Sequence, residues 1–287
     1  MNYRHAFHAG NFADVFKHAI LALALQCLAI KNKPLMVLDT HAGAGGYDLA
    51  GPSASRTGEW QQGIARILGT PNPPDALWRY VEIVRGFDRK VGGSRGDFRF
   101  YPGSPRIVRA LLRPDDRLVV CELHHHDAVA LKREFAGDRY VDVRNTDGYA
   151  AIKALLPPTE RRGLVLIDPP FEDTKEFVKL QRALKHAQQR FATGVLMAWY
   201  PIKNREAVTG LHEWLAGSGL HRVLTAEIDM GAARDGLGDG GALTRCGIVL
   251  ANAPWPIEQD LDGVLPWLAQ TLGQGKGKAE WRWLVKD

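Results

Sequence analysis

Short apolar blocks separated by polar stretches run along most of this chain, and their lengths predict its elements. Apolar residues recur at helical spacing over Phe12–Ile30, which predicts a long and largely buried helix. Later blocks of about five residues, bounded by polar or turn-forming residues, predict strands. Because these blocks are nearly continuous rather than alternating, we expect strands buried on both faces, as in a parallel sheet. The predicted strands are Leu35–Leu38, Arg117–Cys121, Tyr140–Arg144, Leu164–Ile167, Gly194–Trp199, His221–Met230 and Cys246–Asn252.

The helical stretches between the strands predict right-handed crossovers and a doubly wound α/β sheet. Segment 50–97 differs, because its helical stretches are separated by Gly- and Pro-rich turns and it contains no core strand. We therefore predict one Rossmann-like α/β domain over residues 1–287 with a small helical insertion at about 50–97. Connection 231–241 is rich in Gly and Asp, a composition typical of a mobile loop.

Composition is that of an ordinary globular protein, with 45% hydrophobic and 24% charged residues in a chain of 287. No run approaches the roughly 18 consecutive apolar residues of a membrane span. The polar, His-rich start does not resemble a secretory signal, so a cytoplasmic protein is expected. Cys27, Cys121 and Cys246 lie far apart in apolar surroundings, which indicates buried thiols.

Positive charge is concentrated in one part of the chain. Residues 85–117 contain nine Lys or Arg and four Asp or Glu, so their net charge of +5 equals that of the whole chain. Such a segment suits a polyanion such as nucleic acid, although a solvated helix face would have the same composition.

A carboxylate lies at or just beyond the end of four predicted strands. In a doubly wound sheet the ligand binds beyond these ends, so the four carboxylates form one candidate site. The loop Thr40–Gly46 after the first strand contains glycines that let the backbone approach a ligand closely. The loop lacks the third glycine of a dinucleotide fingerprint, since position 48 is Asp48, and it lacks a Walker A lysine. The four carboxylates are Asp39, Glu122, Asp147 and Asp168.

An Asp-x-x-x-Gly-x-Gly loop with a carboxylate at the next strand end suits S-adenosylmethionine better than a dinucleotide. That ligand has ribose hydroxyls for the carboxylate but no pyrophosphate for a helix N-terminus.

The turn Asp168-Pro169-Pro170-Phe171 carries the sharpest chemical signal. The N6 nitrogen of adenine is a poor nucleophile, because its lone pair is delocalised into the ring. Acceptors on both N–H bonds favour a tetrahedral nitrogen with a free lone pair, and the Asp168 carboxylate and Pro169 carbonyl supply two. Two prolines fix the backbone, and Phe171 suits stacking on a base taken out of its helix. The turn therefore predicts methylation of an exocyclic amine.

Four segments resemble the RlmJ family of bacterial 23S ribosomal RNA adenine-N6 methyltransferases. The segments are 3–18 (YRHAFHAGNFADVFKH), 38–45 (LDTHAGAG), 101–105 (YPGSP) and 168–171 (DPPF), and the resemblance covers nearly the whole chain. It implies a Rossmann-like class I fold and methylation of adenine 2030 of 23S RNA, free or in immature particles. Separately, we expect a monomer. There are two departures. Phe171 stands where the family also uses Tyr, and the Gly-rich stretch Gly236–Gly241 is longer or looser than the family leads us to expect.

The resemblance also implies roles for individual residues. Asp168, with Pro169 and Phe171, would be catalytic, and Tyr3 in the N-terminal tail 1–11 would meet the RNA. Glu122 would hold the cofactor ribose, and no metal is implied. The implied S-adenosylmethionine contacts are Lys17, His18, His41, Ser104, Glu122, Asp147, Gly148 and Asp168.

Three other functions stay open from the residues. A DNA adenine-N6 methyltransferase would use the same turn, and a ribosome-assembly factor would keep the cofactor without catalysis. A nicotinamide-dependent oxidoreductase is disfavoured by the missing third glycine. The run His124-His125-His126 is not a convincing metal site, because three successive side chains on regular backbone cannot all turn to one ion.

Overall fold

The computed structural model describes residues 4–92, 97–231 and 243–286, and a mixed eight-stranded sheet forms its centre. The proposed contact residue Tyr3 and nearly all of connection 231–241 lie outside the described residues. The strands, in chain order, are β1 (Met36–Asp39), β2 (Gly46–Asp48), β3 (Phe100–Pro102), β4 (Arg117–Cys121), β5 (Val141–Arg144), β6 (Gly163–Ile167), β7 (Val195–Pro201), β8 (Val223–Asp229), β9 (Arg245–Ala251) and β10 (Lys278–Val285).

The strand order across the main sheet is β10-β8-β9-β7-β6-β1-β4-β5. Strands β5, β4, β1, β6 and β7 are parallel, whereas β9 is antiparallel to both β7 and β8. The five parallel strands confirm the predicted α/β class, and all seven predicted strands are present within two residues of their expected ends.

Helices cover both faces of the sheet. One apolar cluster joins α1, α4, α5, α6 and α10 to one face, and a second joins α7, α8 and α9 to the other. The helices are α1 (Phe12–Ala29), α2 (Pro52–Thr57), α3 (Ile64–Gly69), α4 (Asp75–Val91), α5 (Ser104–Leu111), α6 (His125–Glu134), α7 (Gly148–Leu155), α8 (Glu176–Arg190), α9 (Arg205–Gly217) and α10 (Ile257–Leu272). The three cysteines are buried free thiols, as predicted.

Helix α1 is the central helix of the first cluster. By length and composition it is apolar enough to cross a membrane, yet 89% of it is buried inside the protein. Its burial extends to three polar side chains near its start, Asp14, Lys17 and His18. Buried ionisable groups are costly unless they are paired, so these residues point to a site.

The helices α2, α3 and α4 lie between β2 and β3, which pair with each other as a separate two-stranded sheet. These strands have three residues each and too little pattern to be predicted. Helix α4 packs against α1, and its Leu77, Tyr80 and Val84 are buried in the first cluster. The insertion therefore shares its apolar core with the main sheet.

Two elements are not among those predicted above. Helix α5 begins at Ser104, and Pro105 is well suited to the first turn of a helix. Strand β10, which contains Trp281 and Trp283, is not among the predicted strands. In the structure these two residues lie on an edge strand antiparallel to β8.

Candidate active site

The parallel register brings the polar strand ends together. Asp39, the last residue of β1, stands beside Val120 of β4 and Leu166 of β6. Glu122 and Asp168 each follow two residues beyond these partners, so they flank Asp39 at the carboxyl edge of the sheet. This is the edge at which α/β sheets bind ligands.

Glu122 is fixed by the backbone on both of its carboxylate oxygens. Gly43 N–H donates to Oε2 at 2.8 Å, and His124 N–H donates to Oε1 at 2.7 Å. Gly43 has φ +62°, and a Cβ there would lie 2.2 Å from the Tyr47 hydroxyl oxygen, so the loop requires glycine. Burial raises the pKa of Glu122.

Asp147 and Gly148 start α7 beside the loop that follows β1. The Asp147 side chain caps the helix by accepting the Tyr149 N–H at 2.8 Å. A Cβ on Gly148 would lie 2.0 Å from the Thr40 carbonyl oxygen, so only glycine lets α7 begin this close to the loop. The His41 ring meets the Tyr149 ring edge-on, and burial lowers the pKa of His41.

Ser104 lies against Asp39. Its Oγ donates to Asp39 Oδ2 at 2.7 Å, and both residues are buried. Burial raises the pKa of Asp39 to about 6, and the negative charge of Asp168 adds to the shift.

A chain of buried charges connects α1 to the DPPF turn. Lys17 Nζ donates to Asp14 Oδ1 at 2.8 Å and to Asp168 Oδ2 at 2.5 Å. Burial opposes the charge of Lys17, but the carboxylates of Asp14 and Asp168 outweigh it and hold the pKa of Lys17 well above its usual value. Lys17 is therefore a fixed cation beside Asp168.

Asp14 also ties down the segment that precedes α1. Burial would raise the pKa of Asp14, but His5 and Lys17 outweigh it and hold that pKa well below its usual value. Asp14 Oδ2 accepts from His5 Nε2 at 2.8 Å and from the Gly10 N–H at 3.0 Å. Sequence reasoning gave Asp14 no role. The signal was its position, three residues before Lys17 in an otherwise apolar helix.

His18 is a neutral, buried histidine with one unsatisfied nitrogen. Its Nδ1 lies 2.7 Å from the Tyr101 hydroxyl oxygen, which lies 3.0 Å from that of Tyr80. Burial lowers the pKa of His18 to about 3. Within the described part of the chain its buried Nε2 has no hydrogen-bond partner, and a bound ligand would satisfy such an atom.

The backbone of the DPPF turn is strained at Phe171. Phe171 has φ +50°, a value that bulky side chains rarely adopt and that is often found at functional sites. Its ring packs edge-on against Phe177 and Trp199, with centroids 5.0 Å and 5.7 Å away. Pro169 is buried beside it. The sequence does not predict that Trp199 packs against Phe171.

These groups fit S-adenosylmethionine. The Glu122 carboxylate, held by two backbone N–H groups, is the type of group that pairs with ribose hydroxyls. Among the described residues the buried His18 Nε2 has no hydrogen-bond partner, so a polar ligand atom would satisfy it. The strand order β5-β4-β1-β6-β7-β9-β8 with β9 reversed is that of the class I S-adenosylmethionine-dependent methyltransferases. Fold and site together define this class.

Comparisons with known proteins agree. Residues 32–285 match the family model "Ribosomal RNA large subunit methyltransferase D, RlmJ". The chain is 40% identical to ribosomal RNA large subunit methyltransferase J of Escherichia coli, with 100% of both chains covered. It is 38% identical to the protein of that name from Haemophilus influenzae, with 98% of each covered. A crystal structure of a Legionella pneumophila protein, described under the family model DUF519, is 31% identical, with a TM-score of 0.86 over 96% of this chain and 98% of that one.

The chain belongs to the RlmJ family of ribosomal RNA large subunit methyltransferases. Within the described ranges 4–92, 97–231 and 243–286, no group of three His, Cys, Asp or Glu side chains is arranged to hold a metal ion. His125 and His126 lie in the first turn of α6.

Proposed function

We propose that this protein transfers a methyl group from S-adenosylmethionine to the N6 nitrogen of one adenine in 23S ribosomal RNA. The observation that carries the proposal is the placement of the DPPF turn at the sheet edge, with Asp168 held by the buried cation Lys17. The adenine would have to leave its base stack to reach this turn, which costs a few kcal/mol and favours unpaired RNA.

In this mechanism the turn orients the amine. Asp168 Oδ2 accepts from Lys17, so we assign Oδ1 to one N–H bond of the amine and the Pro169 carbonyl to the other. The N6 lone pair then forms the new N–C bond as the S–C bond breaks, and the N6 proton leaves to Asp168 or to solvent. When bound, S-adenosylmethionine supplies an electrophilic methyl group, so positioning of the amine accounts for much of the rate.

The cofactor contacts are part of the same proposal. Glu122 would hold the ribose hydroxyls, and Asp147 with Gly148 would bind the adenine of the cofactor at the start of α7. The remaining proposed contacts are Lys17, His18, His41, Ser104 and Asp168. S-adenosylhomocysteine would be the product.

We also propose how the chain meets its RNA. Tail 1–11, with Tyr3, would contact the target nucleotide, and Phe171 would stack on the base from its fixed position. The enzyme would act as one domain, 1–287 with the insertion at 50–97, on free RNA or immature particles. It would work as a cytoplasmic monomer without metal.

The test is transfer of tritiated methyl from S-adenosylmethionine to protein-free 23S RNA from cells that lack the gene. Digestion and mass analysis would identify the modified nucleoside. The proposal predicts N6-methyladenosine at a single site. Label in duplex DNA instead would favour a DNA methyltransferase, and cofactor binding without label in either polymer would favour a non-catalytic assembly factor.

A further inference from the structure

A cavity lined by charged residues lies beside the glycine loop, outside the candidate active site. The open cavity has a volume of about 590 Å³. It lies between the end of α4 and the outer side of α5 on one side and the connection from α6 to β5 on the other. We call it the basic groove, because four of its lining residues are cations. These are Lys90, Arg106, Arg109 and Arg139.

Two of the arginines are locked in place. The Arg106 Nε donates to Glu134 Oε1 at 2.5 Å, and its guanidinium lies over the Phe135 ring, 4.4 Å from the centroid. The Arg109 Nε donates to Asp138 Oδ2 at 2.7 Å. Each guanidinium thus has its plane fixed before any ligand arrives, which reduces the entropy lost on binding.

The aromatic rings of the groove are covered by cations. The Tyr140 ring carries both the Arg109 and the Arg139 guanidinium, at 5.0 Å and 4.8 Å from its centroid, and its hydroxyl accepts from Arg139 Nη2 at 2.6 Å. The Phe135 ring lies under Arg106 in the same way. Rings covered in this way do not serve as platforms for stacked bases, so the groove suits a ligand recognised by charge.

The groove has a surplus of positive charge. Its four cations face two carboxylates, Glu134 and Asp138, which leaves a net charge of +2. Lys90 and Arg139 are exposed, and among the described residues neither takes part in an ion pair with a carboxylate. Guanidinium and ammonium groups arranged like this match phosphate oxygens.

The groove begins next to the candidate active site. Helix α5 starts at Ser104, which binds Asp39, and Arg109 follows about 7.5 Å further along the helix axis. On the other side, a Cβ on Gly45 would lie 3.2 Å from Cγ of Glu134, the partner of Arg106. The groove therefore borders the outer side of the glycine loop. An RNA whose adenine occupies the site can extend into the groove.

We propose that the basic groove binds the phosphate backbone of the substrate RNA near the target nucleotide, without reading its base sequence. The proposal rests on the proposed function, since the RNA must be the substrate. It also explains part of the basic segment 85–117. Other arginines of that segment, such as Arg113 and Arg117, are used in ion pairs within the protein.

The test removes the two exposed cations with a Lys90→Gln/Arg139→Gln double variant. A matched control is Arg182→Gln/Lys185→Gln, which removes the same charge from the exposed face of α8 on the opposite side of the sheet. The affinity of each protein is measured for an RNA fragment that contains the mapped methylation site and for an unrelated hairpin of equal length. Salt is varied from about 50 to 200 mM.

For the groove variant, the slope of log affinity against log salt should become shallower by about 1.4 to 1.8, since two phosphate contacts are lost. The change should be equal for both RNAs, with affinity for S-adenosylmethionine unchanged and the α8 control like wild type. An unchanged slope, an equal change in the control, or an effect on only one RNA would overturn the groove proposal and leave the proposed function intact. Failure of the wild type to methylate RNA at all would instead remove the proposed function and the groove proposal with it.

Discussion

Two polar networks lie on opposite faces of the sheet, and they are built differently. The network beneath α1 is charged, and it runs from Asp14 through Lys17 to Asp168 at the DPPF turn. The network on the other face joins α9 to three strands and consists of Tyr200, His212, Glu227 and Arg282.

In the second network every link has a donor and an acceptor. Arg282 donates to His212 Nδ1 at 2.8 Å, so the histidine proton belongs on Nε2, which lies 3.0 Å from the Tyr200 hydroxyl oxygen. That hydroxyl donates to Glu227 at 2.8 Å. Burial, helped by the charge of Arg282, lowers the pKa of His212 to about 4 and keeps the imidazole neutral.

The contrast leads us to expect different roles for the two networks. The attraction within a buried ion pair often fails to offset the cost of removing its charges from water. The network of Asp14, Lys17 and Asp168 is therefore weak evidence for stability, and it fits a functional site that needs charge. The satisfied network instead attaches β10, through Arg282, to β7 and β8. We expect changes in the first to affect methyl transfer and changes in the second to affect folding.

The largest effect is expected from Asp168→Asn. The amide cannot accept both from Lys17 and from the amine as the carboxylate does, so the single-turnover rate should fall by about 10³-fold. S-adenosylmethionine affinity, measured by calorimetry, should stay within a few fold of wild type. Near-normal methylation by this variant would remove Asp168 from the mechanism.

Asp14→Asn should lower kcat by roughly 10- to 100-fold, because Lys17 loses one of its two carboxylate partners. The pKa of Lys17 is held high by Asp14 and Asp168, so removing Asp14 lowers it. The alkaline limb of the rate–pH profile should therefore move to lower pH. Thermal unfolding identifies the folded fraction, and a rate that falls with an unmoved pH profile would indicate a structural role only.

Tyr200→Phe tests the second network. Deleting the hydroxyl leaves Glu227 and His212 without their shared partner, so the free energy of unfolding should fall by about 1–3 kcal/mol in urea titrations. The methylation rate of the folded protein should not change. A lost rate at unchanged stability would reverse the roles assigned to the two networks.

The smallest effect concerns the pKa of about 6 at Asp39. Below that pH the carboxyl is protonated and the strand ends lose a negative charge. The affinity for the cationic cofactor should therefore fall by a few fold between about pH 7 and 5. In Asp39→Asn, which keeps an oxygen for Ser104, this pH dependence should be flat. An equal pH dependence in both proteins would assign it to another group.

The sheet, its strand ends and the DPPF turn were predictable, because each depends on a local pattern of apolar runs and turn residues. Helix α1 was predictable for the same reason, but the role of its charged residues Asp14 and Lys17 was not. The pairing of Lys17 with Asp168 joins residues 151 positions apart, and no local pattern encodes it. The sequence signal for this pairing is that Asp14 and Lys17 are charged residues in an otherwise apolar helix.

Other parts of the site depend on packing that the sequence does not display. Trp199 reaches Phe171 only because β7 lies beside β6. The hydrogen bond from Ser104 to Asp39 joins residues 65 positions apart, so it also depends on tertiary packing. Strand β10 follows a glycine-rich connection after α10, and its pairing with the distant β8 is set by the tertiary structure.

The most direct test of the account is the single-turnover rate of N6-methyladenosine formation on protein-free 23S RNA by Lys17→Met, at saturating S-adenosylmethionine. Methionine preserves the length of the buried side chain and removes its charge. We expect a rate at least about 100-fold below wild type in a folded protein that still binds the cofactor. A folded Lys17→Met enzyme that methylates at the wild-type rate would contradict this expectation, because the buried charge would then have no part in methyl transfer.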